Sequence, residues 1–333
     1  MGQSITMSGG ERMTTELLIA SKDSGNIWEV SSMAESVTYT TNRTGSPGEL
    51  KFTLITQNGL SFDVGDVVRF SADGQLIFYG WVFVISQDRW GVTDVTCYDR
   101  LRYLKANASY AFYGQTVGGI IQQIAEDFQL TLGTIEDTGY SLPSLVMEDK
   151  TCLDIISEAI QQTLLNTGNI YVFYDDGTGL ALQEAGNMKS TVVIGEKSLL
   201  TDYTYQKDID QQTYNSIKLV QPNEETGRAE VYQVDDSETI GKWGLLRLYQ
   251  QVDESLNPAQ IAAQAQASLE YYNRPYKTLK ISSLGVIGLR AGMMLLVNIP
   301  RVENAEKKYV LLEKVTHKFE NDVHTMDIET MEI

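Results

Sequence analysis

Positive charge, histidine, cysteine and proline are all scarce in this chain, which sets 26 Lys and Arg against 44 Asp and Glu and carries two His, two Cys and six Pro. The resulting formal charge of −18 argues against a duplex-binding surface, because such a surface neutralises phosphates with clustered Lys and Arg. No specific nucleic-acid binding is expected. The charge fits solubility, basic partner surfaces, or the lining of a passage through which DNA slides without sticking. Cys97 and Cys152 lie in apolar segments without C-x-x-C spacing and read as buried free thiols rather than a disulfide framework. Long hydrophobic runs are also missing. Leu76–Tyr79 continued by Trp81–Ile85 falls well short of the roughly 20 residues that span a bilayer, so no membrane insertion is expected. The first ten residues have neither a basic n-region nor an apolar h-region, and the reading is a protein made and assembled in the cytoplasm.

Catalytic signatures are missing as well. His317 and His324 are the only histidines, their spacing matches no zinc pair, and strand side chains at a surface are the expectation. There is neither a G-x-S-x-G elbow nor a catalytic-Cys signature. Carboxylate pairs suited to glycan hydrolysis, Glu126 with Asp127 and Glu224 with Glu225, read as a solvated helix face and a loop. Asp175-Asp176-Gly177-Thr178-Gly179 lacks the alternating ligands and closing Glu of an EF-hand and reads as a hairpin turn. Gly9-Gly10 and Gly118-Gly119 match no nucleotide-binding fingerprint. Accordingly no catalytic, cofactor-binding or metal-binding residue is assigned, no cofactor is expected, and the chain is read as a non-enzyme.

What is present is mostly β pattern. After a loose arm over 1–13, residues 14–105 read as a first small barrel: Leu50–Leu54 alternates, Val67–Phe70 follows a turn, Asp73-Gly74 turns before Leu76–Ile85, and Val92–Tyr98 closes the series. The period changes over 106–195, an α+β insert. Val117–Phe128 places Ile120, Ile121, Ile124 and Phe128 on one face. Cys152–Asn166 is capped by Thr151 with Asp154 and ended at Gly168. A hairpin joins Asn169–Tyr174 to Leu180–Gln183. Strand pattern returns over 196–333 as a second barrel with one inserted helix, 258–273, begun by Asn257-Pro258. The fold class is thus mostly β, with two similar barrel-like domains flanking an α+β domain. The aromatics Tyr79, Trp81, Trp90, Tyr98, Tyr103, Tyr110 and Tyr113 fit core and cross-strand packing as well as a sugar platform or an interface.

The two β portions echo each other. Gly65–Phe70 leads to Phe78–Ser86 and then Val92–Tyr98; Gly292–Val297 leads to Tyr309–Thr316 and then His324–Glu329. Both run glycine, strand, long strand, turn, strand, which is the pattern of a duplicated barrel and also a rhythm that any antiparallel β-meander gives.

Several segments taken in order carry a family resemblance: Phe62–Val68, Leu76–Val82, Thr96–Leu104, Thr151–Ile156, Gly168–Val172, Tyr214–Leu219, the alanine-rich helix, and Leu289–Met293. Across nearly its whole length the chain resembles the baseplate hub proteins of contractile phage tails and phage-tail-like bacteriocins, in the branch found in Gram-positive prophages. The resemblance implies a homotrimer in which two barrels per chain make a pseudo-sixfold ring. Such a ring adapts a hexameric tail tube to a trimeric central spike and seeds tube assembly. It further implies contacts with surrounding baseplate or wedge proteins and LysM-type tail proteins. Larger hubs of this kind carry wall-hydrolase or peptidase domains, and none is legible before Ile333. A tail-associated glycan hydrolase or peptidase and a receptor- or carbohydrate-binding tail-tip protein are the rival readings. The loops Pro222–Arg228 and Val302–Lys307 are candidate partner contacts, with an ordinary solvated loop as the plainer alternative.

Overall fold

The computed structural model describes residues 13–55, 60–223, 228–254, 256–302 and 307–331. Its first seven strands are β1 (Thr15–Ala20), β2 (Ile27–Glu29), β3 (Ala34–Asn42), β4 (Glu49–Ile55), β5 (Val67–Ala72), β6 (Gln75–Gln87) and β7 (Val92–Tyr98). They lie in the order β2-β1-β5-β6-β7-β4-β3. Alternation decides which side chains go inward. In β4, Leu50, Phe52 and Leu54 are buried while Lys51 is exposed. These meet Leu17, Ile19, Val68, Phe70 and Val95 in one core, so the sheet must curl over its own inner face. β6 is longer than either of its neighbours. A bulge at Phe83, between the pairs Val82↔Cys97 and Val84↔Thr96, adds one residue and sharpens the local twist.

The insert holds β8 (Asn107–Thr116), α1 (Val117–Asp127), β9 (Leu132–Ile135), β10 (Ser141–Thr151), α2 (Cys152–Thr167), β11 (Tyr171–Asp175) and β12 (Leu180–Glu184). Ile120, Ile121 and Ile124 of α1 pack with Ile155, Ile156 and Ala159 of α2 in a separate core. The α2 termini are as the sequence foretells. The Thr151 hydroxyl accepts from the Asp154 N–H at 3.0 Å, and Gly168 ends the helix at φ 77°. Cys97 and Cys152 are both buried and free.

The remainder comprises β13 (Lys189–Gly195), β14 (Leu200–Asp208), β15 (Ser216–Asn223), β16 (Arg228–Asp235), α3 (Ser237–Trp243), β17 (Arg247–Gln251), α4 (Pro258–Tyr272), β18 (Tyr276–Leu284), β19 (Met294–Asn298), β20 (Lys308–Glu320) and β21 (Val323–Met331). The helix begun by Asn257-Pro258 is present, with a reciprocal capping box between Asn257 and Gln260. It is not alone. With α3 and the three-stranded sheet β16-β15-β17 it makes a small layered unit whose core joins Ile217 and Leu219 to Ile261 and Ala265. The charged residues along β16 and the Gln-rich β17 hide that sheet from a hydrophobic-period reading. β13 ladders with β19, which places it in the large sheet.

The two halves follow one path. The run β3-β4-β7-β6-β5-β1 has its counterpart in β14-β18-β21-β20-β19-β13, with one reversal: β1 is antiparallel to β5, whereas β13 is parallel to β19. The likeness extends to single atoms. Gly65 and Gly292 adopt φ 87° and 89°, a left-handed conformation that favours glycine. Their N–H groups donate to the Val82 and Leu312 carbonyls at 2.8 and 2.7 Å. The β6 bulge recurs in β20 at Glu313, between Leu312↔Thr330 and Lys314↔Glu329. Thr53 donates to Asp94 at 2.7 Å, and Ser282 to Asp327 at 2.7 Å. The mostly-β architecture with two similar barrel-like units and an α+β insert is therefore present. The two units share one continuous 13-stranded sheet, because β3 pairs with β20 across the midline from Asn42↔Lys314 to Ser36↔Glu320.

Candidate functional site: a polar junction and bare strand edges

The first half, the insert and the second half meet at a cluster of charged side chains. The loop after β7 begins with Asp99, whose carboxylate accepts from the N–H of Gly48 at 2.8 Å and of Leu101 at 3.0 Å. Arg100 reaches across to the end of β11, donating from Nη1 to both oxygens of Asp175 at 2.8 and 2.9 Å. Asp175 also accepts the Arg100 N–H at 3.0 Å and the Gly177 N–H at 2.8 Å. From the second half, Arg290 donates to the Asp175 carbonyl at 2.9 Å and lies 3.9 Å from the Tyr174 ring centre. Burial, reinforced by the charge of Asp175, pushes the Asp99 carboxyl up to about 8 against the pull of its backbone donors. Burial likewise pushes the Tyr39 phenol up to about 12.

Tyr39, Asp99, Asp175 and Arg290 line a cavity of about 120 Å³ together with His317 and Tyr79. Small-molecule sites usually enclose about 300–1,000 Å³. The cluster is a polar keystone fixing three parts of the chain, in which the Arg290 Nε is buried without a hydrogen-bond partner. Sequence reasoning took Asp175–Gly179 as a turn, which it is: Asp176 accepts from the N–H groups of Thr178 and Gly179 at 2.7 and 2.9 Å. Burial of the Asp176 carboxyl is outweighed by the Thr178 and Gly179 donors, which hold it below the usual carboxylate range. The salt link made by Asp175 had no local signal, since its partner lies 75 residues away.

The histidines depart from expectation. They face inward, with His317 buried and His324 half-buried. His317 Nε2 donates to the Leu289 carbonyl at 2.7 Å, which leaves Nδ1 to accept from His324 Nε2 at 2.9 Å. Cover comes from β3, whose Tyr39 stacks on His317, and from Gly285, where a Cβ would stand 2.0 Å from the His324 ring. The pairing of β20 with β3, not visible in the sequence, turns a surface position into a core one.

The other candidates stay apart from this junction. Asp127 accepts from the Tyr110 hydroxyl at 2.6 Å and Glu126 from Gln122 at 3.1 Å, so that pair is occupied on the α1 surface. Gly118 and Gly119 open α1. Glu224, Glu225, Gly9 and Gly10 lie outside the described residues, as do most of both candidate loops. Tyr79, Trp81, Tyr103, Phe83 and Tyr98 form an edge-to-face chain on the outer side of β6 and β7, flanked by Arg100 and Arg102. Trp90, at the tip of the β6–β7 hairpin, and Tyr113 are exposed. Among the described residues no group of His, Cys, Asp and Glu is placed to hold a metal, and no helix is long and apolar enough to cross a membrane.

Strand edges are the remaining feature. Among the described residues β14 ends the ladder path, with β18 as its only strand partner, and beyond Trp81 β6 ladders with β7 alone. Unpaired edges of this kind invite another strand.

Residues 37–331 match the family described as YQBQ-like. The phage-like element PBSX protein XkdQ of Bacillus subtilis (strain 168) is 30% identical over 307 residues, spanning 90% of this chain and 93% of its own. The 43 kDa tail protein of prophage MuSo2 from Shewanella oneidensis has a similar fold, with TM-score 0.68, 14% identity and coverage of 95% and 98%. The Escherichia coli c3393 protein is a type VI secretion component with structural similarity to the T4 tail proteins gp27 and gp5. It gives TM-score 0.53 at 12% identity, covering 90% of this chain and 73% of its own. A chain matched over residues 37–331 by that family model and over 90% of its length by XkdQ belongs to the YQBQ-like family, and its fold is similar to that of a prophage tail protein.

Proposed function

We propose that this chain is the structural baseplate hub of a contractile tail or tail-like bacteriocin, a homotrimer whose six barrel units form a pseudo-sixfold ring. The observation that carries the reading is the duplication: two units with one strand path, joined edge to edge at β3 and β20. Three chains of two units present six near-equivalent positions to a hexameric tube while keeping threefold symmetry toward a trimeric central spike. The domain boundaries fall at residues 13, 105 and 195, with β13 strand-paired to the second unit.

The ring seeds tube polymerisation and is held by surrounding baseplate or wedge and LysM-type tail proteins. It works by binding alone, with no bond made or broken. The polar junction supports this, since Arg100 and Asp175 are paired with each other and Asp99 and Arg290 bond to backbone groups of the same junction. The chain is made and assembled in the bacterial cytoplasm and leaves as part of the particle. Acidic side chains facing the channel would keep DNA from adhering.

Light scattering coupled to size exclusion tests this on the full chain, alone and with the candidate spike protein. The expected result is a trimer, or a three-plus-three complex with the spike. A stable monomer indifferent to the spike would overturn the hub reading.

A further inference from the structure

We infer that β14 of one copy of this chain adds as a strand to the bare edge of β6 in a second copy, in the register that joins β3 to β20 within the chain. The number of copies, three, rests on the hub reading above; the joint itself rests on the duplication. Each unit has a β3-type strand and a β6-type strand. Within the chain the β3 strand of the first unit meets the β20 strand of the second. Among the described residues the other two members of the set, β14 and the far half of β6, have no strand on their outer side.

Exposure follows the same division. At the internal joint Val37, Tyr39 and Thr41 of β3 are all buried, whereas their counterparts Tyr203, Tyr205 and Lys207 in β14 are half-buried or exposed. Across the joint Val315 is buried and its counterpart Ile85 is not. Ala291, beside the joint, is 2% exposed, and Val64, its equivalent one residue before Gly65, is 58% exposed. The surfaces hidden at the midline are the ones left bare at the two ends.

Backbone directions agree. The Arg43 N–H donates to the Glu313 carbonyl at 2.9 Å, so by alternation Glu313, Val315 and His317 point their backbone groups at β3. In β6 the Asp88 N–H donates to the Val92 carbonyl at 2.9 Å, which turns Ser86 and Val84 toward β7 and leaves Ile85 facing the bare edge. The transferred register pairs Ile85 with Lys207, Ser86 with Gln206 and Val84 with Asp208. Side chains fit it. Thr40 and Thr316, whose hydroxyls lie 3.2 Å apart, become Gln206 and Ser86, again two hydrogen-bonding groups. The ion pair Arg43–Glu313, 2.8 Å, becomes Ile209 and Phe83, two half-buried apolar side chains. Such a contact is head-to-tail, and it closes into a ring when the rotation allows.

The test is the full chain carrying Ser86→Cys and Gln206→Cys, mildly oxidised, with a non-reducing gel and light scattering on the same sample. The two positions take the places of Thr316 and Thr40, a pair whose hydrogen bonds point away from each other; in such pairs the Cα atoms sit about 4.5 Å apart, within disulfide reach. A disulfide between chains, absent from either single variant, is the expected product, and it stops at three chains. Adding Ile85→Pro removes an N–H aimed at the bare edge and is expected to cut the linked fraction at least tenfold. An oligomer without the disulfide would overturn the joint and leave the hub reading standing. A monomer without it overturns both. Equal linkage through Ser86→Cys with Thr204→Cys would overturn the register.

Discussion

The insert is fastened to the two barrel units by different means. Toward the first unit the seam adds a buried ion pair, Arg100 clasping Asp175, to the entry of Leu101 and Leu104 into the insert core; toward the second it is largely apolar, with Val172, Ala185 and Met188 packed on Leu311 and Met331. A buried ion pair is position-specific but gains little over an apolar replacement, and it is costly to break from one side. An apolar seam is stronger per area and less selective about register. The two seams together hold the insert in one place while the barrel units remain near copies. Asp175→Ala should therefore be the most damaging single change, losing about 3–5 kcal/mol because a mostly buried guanidinium is left without its carboxylate. Leu311→Ala at the apolar seam should cost about 2–5 kcal/mol, at the upper end if the cavity cannot collapse. Urea unfolding of both variants checks the ranking. A loss near zero for Asp175→Ala would mean that the ionic seam is not structural.

Acid should separate the two units. The His317–His324 pair sits at the midline joint, and the position equivalent to His317 in β6 is Gln87. Burial holds both rings at about 4, down from 6.5, and for His324 the neighbouring His317 adds to the effect while Asp73 opposes it. A depressed histidine contributes stability that is complete above the ordinary value and is lost as pH falls from about 6.5 through 4, since the unfolded chain takes up protons first. The loss is on the order of 3 kcal/mol for His317 and smaller for His324, whose ring keeps some solvent. Hydrogen exchange corrected for intrinsic rate should show protection lost in Thr316–Phe319 at pH 4.5 while Val92–Tyr98, laddered to β4 and β6, holds. Simultaneous loss in both would show that the histidines do not set the acid response.

Much of this could be read in advance and some could not, for identifiable reasons. Helices with end signals, such as Thr151 and Gly168 around α2 or Asn257-Pro258 at α4, were legible because caps are local chemistry. The strand rhythm of the echo was legible because Gly65 and Gly292 punctuate it at matching points. Pairings between distant strands were not, and they are what place His317 in the interior, β13 in the large sheet and Asp175 against Arg100. The α3–α4 unit was legible only in part: α4 and β15 carry apolar positions, Ile261 with Ala265 and Ile217 with Leu219, whereas the charged β16 and Gln-rich β17 that complete its sheet give a weaker period.

The finest comparison is between two hydrogen bonds. Thr53 to Asp94 and Ser282 to Asp327 occupy the same place in the two units at the same length, but their settings differ. Asp327 also accepts from Lys318 at 2.6 Å, and that bond together with the one from Ser282 holds its carboxyl below the usual range despite partial burial. If the duplication is energetic as well as geometric, Thr53→Val and Ser282→Ala should each cost about 1 kcal/mol. The second should cost slightly more because its carboxylate is shared with the lysine. Paired denaturant titrations would resolve a difference of that size only if the slopes agree. Equal losses would mean that the sheet sets the worth of the bond. A loss confined to Ser282→Ala would assign that worth to Lys318, a partner the first unit lacks at the equivalent position, Asp88.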